Sequence, residues 1–297
     1  MTDEGPGWAA IVVNHNGGSL LERCVRSVLA DQSAGAVEIV VVDNASSDGS
    51  AEMLRALDLP VSVVDAGGNL GYAAAANVGI GRTSAAFVAV LNPDTEVRPG
   101  AAGALVGRLL GEPDLAAVGP RIDDAHGRHY PSARAVPAVG DALGHAALGW
   151  IRPRNPWTTR YRQLDVDPGV SRDVAWISGA AIWLRRTALD EVGGWDERYF
   201  MYVEDLDLCW RLGRRGWRVA YEPSARVVHI QGVSTARRPY RMIVEHHRSA
   251  LRFTVRRLSG WRRVLVPVAA AFLGARAALA LVVYAVGARR KPPGATG

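Results

Sequence analysis

The sequence predicts an α/β fold in which helices flank a central, mostly parallel sheet, followed by a basic and apolar helical tail. Short apolar runs such as residues 9–14 and 87–91 alternate with segments of helical periodicity, as in parallel strands joined by crossover helices. With 297 residues, of which 48% are hydrophobic and 22% charged, the chain can bury a large core. Residues 237–297 differ from the rest because they are rich in arginine and contain a long apolar run.

The elements are predicted in chain order from their apolar spacing, which is continuous or alternating in strands and three to four residues in helices. The predicted strands cover residues 9–14, 38–43, 61–65, 87–91, 115–119, 174–177, 181–184, 217–221 and 227–229. Four helices are predicted. The first begins at Ser19, and the second follows the turn at 44–49 and ends at Leu57. The third covers 71–82, and the fourth runs from Glu204 to Gly216. Residues 121–172 are rich in Pro, Gly, Arg and aromatic residues, which favours a long functional loop over disorder.

The charge is unevenly distributed along the chain. Thirteen Arg or Lys and the single Glu245 give residues 237–297 a formal charge of +12. Because the net charge of the whole chain is +6, residues 1–236 carry a formal charge of −6. The apolar stretch 264–287 favours anionic inner-leaflet lipid over nucleic acid as the partner of this tail. Because Arg276 interrupts that stretch, we expect a helix lying on the cytoplasmic face of the plasma membrane, with a single span, a homo-oligomer contact or a core helix as alternatives.

The cysteines and the N-terminus indicate a cytoplasmic protein. Cys24 and Cys209 lie in apolar periodic segments without metal-binding spacing, which predicts reduced core thiols. Residues 1–7 lack the apolar core of a secretory signal, so we expect the catalytic part to stay on the side where it is made.

Polar residues follow one predicted strand after another. They are Asn14, Asn16, Asp43, Asn69, Asn92 and Asp94. Each alone is equally consistent with a turn, but the carboxyl ends of parallel strands meet at one edge, where open α/β sheets bind ligands. Neither GxGxxG nor a P-loop is present, which argues against NAD enzymes and P-loop ATPases. We predict that Asp43 accepts from a nucleotide base and that Asn69 and Asn77 hold ribose or diphosphate, with Asn14, Asn16 and Asn92 completing the site.

Carboxylates and a histidine suggest catalysis and metal binding. Glu204 and Asp205 open a predicted helix, where each is either a cap or a carboxylate facing the pocket, and the latter suits a general base. His229 ends a strand; alone it is more typical of a core residue, but with Asp94 it would suit Mg²⁺ or Mn²⁺. Aromatic faces beside arginines suit a sugar and a diphosphate. The predicted acceptor residues are Trp157, Arg160, Tyr161, Ser178, Gly179 and Glu204.

The ordered motifs resemble the family of inverting, metal-dependent glycosyltransferases with the GT-A fold. They are VVNHN, VDNASSDGS, GGNLGYAAAANVG, LNPD, SGAAIWLRR, GGWDERYFMYVEDLDLCWRLGRRG and HIQGVST, spread over residues 9–235. Within the family the chain looks most like rhamnosyltransferases acting on lipid-linked sugars. The segments HYPSARAVP and PRNPWTTRYRQ look especially like the actinobacterial group that adds rhamnose to decaprenyl-diphosphate-linked N-acetylglucosamine in arabinogalactan linker synthesis.

The resemblance implies dTDP-rhamnose as donor, a polyprenyl-diphosphate-linked sugar as acceptor, and Mg²⁺ or Mn²⁺ as cofactor. It places Asp43 at the base-recognising position and Asn92 with Asp94 at the DxD motif, where asparagine replaces the first carboxylate and leaves Asp94 to hold the ion. His229 would complete the metal site in its HxxGxS context. Asp205 would be the catalytic base, with Asp207 as the alternative.

The implied organisation is a nucleotide-sugar half (1–120), an acceptor and catalytic half (121–236), and a membrane-association tail (237–297). Three alternatives remain open from the residues themselves. The chain could use another UDP- or dTDP-linked sugar for polysaccharide or glycolipid assembly, be a nucleotidyltransferase, or be a non-catalytic nucleotide-sugar-binding membrane module. The last would not need both Asp205 and His229.

Overall fold

The structure, a computed structural model, describes residues 7–136, 144, 148–149, 151–230 and 239–289. The strands are β1 (Trp8–Asn14), β2 (Val37–Asp43), β3 (Ser62–Asp65), β4 (Phe87–Leu91), β5 (Thr95–Val97), β6 (Leu115–Asp123), β7 (His129–Tyr130), β8 (Ala133–Arg134), β9 (Arg172–Asp173), β10 (Trp176–Ile177), β11 (Ala181–Arg185) and β12 (Arg218–His229). The α-helices are α1 (Ser19–Ala30), α2 (Ser50–Arg55), α3 (Tyr72–Ile80), α4 (Ala101–Gly111), α5 (Pro156–Arg162), α6 (Arg186–Val192), α7 (Glu204–Arg214), α8 (Pro239–Arg257) and α9 (Val266–Arg289), and short 3₁₀ helices cover Gln32–Ala34 and Gly260–Leu265.

One ten-stranded sheet organises the body of the protein. Its order is β3-β2-β1-β4-β11-β6-β12-β5, with β7 beside β6 and β9 beside β12. The first four strands are parallel, whereas β11 is antiparallel to both β4 and β6. The helix-flanked α/β class is therefore confirmed, with a sheet that is parallel in its N-terminal half and mixed beyond it.

Strand register brings the polar strand ends to one edge. Asn14 pairs with Asp43, and Val12 of β1 pairs with Leu91 of β4. Because β11 runs the opposite way, its first residue, Ala181, also pairs with Leu91. The start of β11 and the ends of β1, β2 and β4 therefore meet at the edge where the sequence predicts a ligand.

Apolar side chains fill both faces of the sheet. On one face Trp8 and Trp183 are fully buried, with ring centroids 6.4 Å apart. On the other face α3 lies directly on the sheet at Gly79, where an added Cβ would approach Ile11 Cγ2 to 2.3 Å. The close packing holds the last turn of α3 against β1 and β2.

Several predicted elements differ in extent from the observed ones. The strands predicted at 217–221 and 227–229 form the single strand β12, with a register shift between Glu222 and Arg226. The shift adds residues on one strand only, as in a β-bulge, which explains why the apolar pattern is interrupted. The predicted loop 121–172 contains β7, β8 and α5 among its described residues.

The tail is a pair of helices attached to the body. Helix α8 packs Phe253 edge-on against Trp210 at 5.9 Å, and Ser249 donates to the Met201 carbonyl at 2.9 Å. Helix α9 runs back along α8: Tyr284 contacts Tyr240 at 5.2 Å, and Arg276 Nη1 lies 2.8 Å from His247 Nε2. Arg276 is thus satisfied by protein.

The remaining surface of the tail is apolar and open. The segment Gly260–Val286 is long and apolar enough to cross a membrane, and only 6% of its most apolar window is buried. Its exposed apolar residues are Trp261, Val264, Leu265, Val268, Leu279, Val282, Val283, Tyr284 and Val286. Residues 237–238 and 290–297, which belong to the predicted basic tail, lie outside the described residues.

Candidate active site

A cleft of about 550 Å³ lies at the shared strand edge. Ten of the predicted site residues line it, namely Asn16, Asn69, Asn92, Asp94, Tyr161, Ser178, Gly179, Glu204, Asp205 and His229. The remaining five, Asn14, Asp43, Asn77, Trp157 and Arg160, are not among its lining residues. Predicted donor, metal, acceptor and catalytic residues therefore share one cavity, although not every strand-end residue reaches it.

Asp94 and His229 face each other beyond the ends of β4 and β12. His229 Nε2 lies 3.1 Å from Asp94 Oδ1 and 3.3 Å from Asn92 Nδ2. The Ile230 N–H donates to the Asp94 carbonyl at 2.9 Å, which holds the two strand ends together. A carboxylate oxygen and an unprotonated ring nitrogen at this separation both present lone pairs, so a proton or a cation between them is needed.

This oxygen and nitrogen pair fits a small divalent cation such as Mg²⁺ or Mn²⁺. Within the described ranges there is no cluster of three or more His, Cys, Asp or Glu side chains able to hold a metal. Such a cation commonly takes further ligands from phosphate oxygens and water. The rest of the predicted HxxGxS motif falls in residues 231–238, outside the described part of the chain.

The backbone that leads into α7 is strained. Tyr202 and Val203 have φ of 68° and 70°, left-handed values that are rare for a β-branched residue such as valine. The segment is held by the Asp207 N–H, which donates to the Val203 carbonyl at 2.9 Å, and by the contact of Ser249 with Met201. These contacts fix the direction in which the first turn of α7 presents its carboxylates.

Asp205 points into the cleft from that first turn. Its Oδ2 accepts from the Gly179 N–H at 2.9 Å, and its Oδ1 accepts from the Leu206 N–H at 2.8 Å. Burial raises the pKa of Asp205, opposed by these two N–H groups. An oriented carboxylate whose pKa lies above its usual range is suited to take a proton at neutral pH.

Glu204 lies beside Asp205 but is more deeply enclosed, with 6% of its surface exposed. Its Oε2 has no hydrogen-bond partner among the residues that the structure describes. Burial, and then the neighbouring charge of Asp205, raise the pKa of Glu204 well above its ordinary value. Two adjacent carboxylates in such a site resist simultaneous ionisation, so we assign the proton to Glu204 and the charge to Asp205.

The alternative base, Asp207, belongs to a buried ion network. It is fully buried and accepts from Arg211 Nε at 2.7 Å, Arg256 Nη1 at 3.0 Å and the Tyr199 hydroxyl at 3.2 Å. Asp207 is not one of the lining residues of the cleft. The geometry therefore favours Asp205 over Asp207 as the group that meets a substrate.

Asn14 and Asp43 support the cleft from behind. Asn14 is fully buried, and its Nδ2 lies 3.1 Å from Asp43 Oδ1 and 3.0 Å from the hydroxyls of Ser46 and Ser50. Asp43 is 7% exposed and also accepts from the Ser46 N–H at 3.4 Å. Together they hold the turn after β2, and the predicted contact of Asp43 with a base remains a prediction.

The sequence did not single out His15, which lines the cleft between two predicted asparagines. Its Nδ1 lies 3.0 Å from the Asn44 carbonyl, and its Nε2 lies 3.3 Å from Asn16 Nδ2 and 3.2 Å from Asn69 Nδ2. Amide nitrogens only donate, so the hydrogen-bond network assigns the ring proton to Nδ1. His15 thereby aligns two of the predicted donor-site amides, and its place in the VVNHN motif was the available signal.

Three predicted residues point elsewhere. The amide of Asn77 donates to the Trp195 carbonyl and to Glu197 Oε1, both at 2.9 Å, and accepts from the Trp195 N–H at 3.0 Å. It therefore secures the turn before α7. Trp157 packs against Gly144, and Arg160 is exposed outside the lining residues.

An arginine among aromatic rings forms another wall of the cleft. The guanidinium carbon of Arg134 lies 4.9 Å from the Trp176 ring centroid and 5.9 Å from that of Tyr161, and Nη2 donates to the Tyr130 hydroxyl at 2.6 Å. Such a wall offers stacking faces for a sugar and positive charge for a phosphate. The HYPSARAVP motif contains Tyr130 and Arg134, but no periodicity marked these two positions.

Tyr72 was also missed, and it connects α3 to the residues just before β11. Its hydroxyl donates to the Gly179 carbonyl at 2.5 Å, and the N–H of the same Gly179 holds Asp205. Burial, followed by the charges of Glu204, Asp205 and Asp94, raises the pKa of Tyr72 well above its usual value. The phenol therefore stays protonated and fixes the position of Gly179.

The mixed sheet, the carboxylate and histidine at its edge, and the helix that opens with Glu204 and Asp205 define a glycosyltransferase. The chain belongs to Glycosyl transferase family 2, whose profile matches residues 9–193. The profile of Glycosyl transferase family group 2 matches residues 157–287, which include the described part of the tail. The predicted family and class of enzyme are thereby confirmed.

Two similar proteins from Mycobacterium tuberculosis extend this comparison. The chain is 40% identical to N-acetylglucosaminyl-diphospho-decaprenol L-rhamnosyltransferase over 89% of its own length and 88% of the relative. It is 33% identical to pre-mycofactocin glycosyltransferase over 74% of its own length and 42% of that relative. The first similarity runs through nearly the whole of both proteins.

Solved structures share the fold at low identity. One is the mannosyltransferase PcManGT from Pyrobaculum calidifontis in complex with GDP-Man and Mn²⁺, with a TM-score of 0.57 and 17% identity. The match covers 98% of this chain and 82% of the PcManGT chain. Another is GalNAc-T7 with UDP, GalNAc and Mn²⁺, with a TM-score of 0.56 and 18% identity. The match covers 77% of this chain and 44% of the GalNAc-T7 chain. These likenesses confirm the GT-A fold.

Proposed function

We propose that this glycosyltransferase moves L-rhamnose from dTDP-rhamnose to a polyprenyl-diphosphate-linked N-acetylglucosamine in cell-wall linker synthesis. The observation that carries the proposal is the 40% identity, across 89% of this chain, with a relative named for that transfer. The cleft supports it with a base candidate, a cation site and an aromatic wall in one cavity.

The reaction assigned to the cleft is a single displacement with inversion. Asp205 takes the proton of the acceptor hydroxyl as its oxygen attacks the anomeric carbon. A bond forms between the anomeric carbon and the acceptor oxygen. The bond between the anomeric carbon and the diphosphate oxygen breaks, and the electron pair of that bond leaves with the nucleoside diphosphate. Gly179 and Leu206 hold Asp205 through their N–H groups, so the base is oriented before the acceptor arrives.

The leaving diphosphate is assigned to the edge that carries Asp94. Asp94 and His229 would hold Mg²⁺ or Mn²⁺, which when bound supplies positive charge to the departing diphosphate. We assign contact with the nucleotide sugar to Asn92, whose Nδ2 lies 3.3 Å from His229 Nε2. We assign nucleotide binding to Asn16 and Asn69, whose amides both contact His15.

The acceptor is assigned to the other side of the cleft. Arg134 with Trp176 and Tyr161 offers charge for a diphosphate and ring faces for a sugar. We place the protein peripherally on the cytoplasmic face of the plasma membrane, with the open apolar surface of α9 in the lipid interface and a single span as the alternative. The lipid-linked acceptor would then reach the cleft from the same membrane.

A donor panel tests the proposal. Full-length protein is incubated with dTDP-rhamnose, other dTDP- and UDP-linked sugars, Mg²⁺ or Mn²⁺, and a prenyl-diphosphate N-acetylglucosamine acceptor, and the lipid product is analysed by mass spectrometry. We expect transfer of one deoxyhexose that requires the divalent ion. Transfer of another sugar but not of rhamnose would show that the donor assignment is wrong, and nucleotide binding without transfer from any donor would favour the non-catalytic alternative.

A further inference from the structure

A second concave surface lies outside the active-site cleft, where α8 meets the 3₁₀ turn Gly260–Leu265. We call it the arginine groove, and it has a volume of about 910 Å³. Its lining residues are Arg198, Phe200, Glu245, Arg248, Leu251, Arg252, Val255, Arg256 and Arg263. Five arginines beside the apolar side chains of Phe200, Leu251 and Val255 suit an anionic, partly apolar ligand.

Part of this positive charge is not neutralised by the protein. Arg198 and Arg256 each lie 2.5 Å from Asp196, and Arg248 lies 3.4 Å from Glu245. In the parts of the chain that the structure describes, the ion pairs include neither Arg252 nor Arg263; Arg252 instead lies 5.6 Å over the Tyr199 ring. Both are exposed, so two guanidinium groups remain available in the groove.

The arginine groove opens beside the apolar surface of the tail. Arg263 belongs to the 3₁₀ turn that leads directly into α9. In the same turn the side chains of Trp261 and Val264 are 77% and 68% exposed. Tryptophan is enriched at membrane interfaces, where its ring meets the headgroup level. If α9 contacts lipid, this turn lies at the depth of lipid phosphates.

We propose that the arginine groove binds the phosphate of an anionic phospholipid from the bilayer that α9 contacts. Arg252 and Arg263 would donate to the phosphate oxygens, and Leu251 and Val255 would face the glycerol and the first acyl carbons. This site rests on the membrane placement proposed above, but it is independent of the sugar that the enzyme transfers.

A bound headgroup would also set the direction of the active-site cleft. Phe200 lines both the arginine groove and the cleft, and its carbonyl accepts from the Tyr72 N–H at 2.8 Å. The two concave surfaces are therefore separated by a single segment of chain. A lipid held in the groove brings the mouth of the cleft close to the membrane surface, where a lipid-linked acceptor is found.

Lipid binding to the full-length protein tests this site. The protein in nonionic detergent is titrated with phosphatidylglycerol or phosphatidylcholine, and bound lipid is counted by native mass spectrometry. We expect phosphatidylglycerol to bind more tightly. Replacing both free arginines, as Arg252→Gln with Arg263→Gln, should weaken that binding by about fivefold per arginine and roughly 30-fold in total, with phosphatidylcholine unaffected.

Three controls make the result decisive. A double variant at exposed arginines outside the groove, Arg55→Gln with Arg82→Gln, should bind phosphatidylglycerol like wild type, and Arg252→Lys with Arg263→Lys should keep most of the affinity. Unchanged binding by the glutamine variant of the groove, or an equal loss in the distant variant, would overturn the proposal. Displacement of the lipid by inorganic phosphate at constant ionic strength would assign the groove to a soluble anion instead and would also overturn it.

Discussion

Replacing Asp205 by asparagine tests whether one carboxylate supplies the base for sugar transfer. The amide keeps the size of the side chain and one accepting oxygen, so it can still accept from either Gly179 or Leu206. It has no basic oxygen, and its NH₂ group faces the other N–H donor. The substitution therefore removes proton acceptance and leaves one mismatched contact, while the first turn of α7 keeps its shape.

The two effects differ in size, and that difference makes the test informative. Loss of a positioned general base lowers kcat by about 10²–10⁴-fold. A mismatched buried hydrogen bond costs about 1–3 kcal/mol of unfolding free energy, and removal of the charge beside Glu204 offsets part of it. The protein should thus stay folded while transfer is lost, and nucleotide binding at the opposite edge of the cleft should be unchanged.

The assay is initial-rate kinetics at saturating donor, with nucleotide binding by calorimetry and Tm by scanning fluorimetry. Asp207→Asn is the matched control, because it weakens the network with Arg211 and Arg256, and loss of a buried ionic partner costs about 3–5 kcal/mol. The Asp207→Asn substitution should lower Tm clearly and change kcat little. An Asp205→Asn protein that keeps more than about a tenth of the wild-type kcat would refute the assignment of the base.

Further predictions concern the metal site and pH. His229→Ala should raise the Mn²⁺ concentration needed for half-maximal transfer by about tenfold or more, measured by metal titration after chelation; an unchanged titration would mean that His229 is not a ligand. Because burial raises the pKa of Glu204, the folded state binds its proton more tightly than the unfolded state, and that stabilisation is lost as pH rises through the folded pKa. Glu204→Gln cannot ionise, so its Tm should exceed that of wild type by a few degrees at alkaline pH and match it at acid pH; equal Tm values throughout would contradict the raised pKa.

Local sequence carries most of the information about the sheet. The strand Phe87–Leu91 was predicted with the bounds that the structure has, because a continuous apolar run ending in Asn-Pro-Asp leaves little choice. The same reasoning predicted that Asp94 and His229 end strands at a shared edge, whereas Asp205 was predicted at the start of a helix. Their placement follows from topology, and their chemical roles remain predictions.

The direction of individual side chains could not be predicted locally. Asn14 looks like the other strand-end asparagines and is enclosed beside Asp43, and Asn77, on the predicted helix 71–82, binds the turn at Trp195, 118 positions away. The same limit explains why Tyr72 was missed, because its partner Gly179 lies 107 positions along the chain. Polar composition predicts that an edge binds something, but only long-range contacts decide which amides face it.

The ion network around Asp207 has a consequence for the order of events during synthesis. Asp207 lies in the first turn of α7 together with Asp205, whereas its partner Arg256 is translated 49 residues later, within the tail. A buried carboxylate lacking part of its neutralising charge is unfavourable, so the helix bearing the proposed base reaches its final packing only after α8 has left the ribosome. Final packing of the helix that carries Asp205 is thereby linked to the emergence of α8, the first helix of the tail.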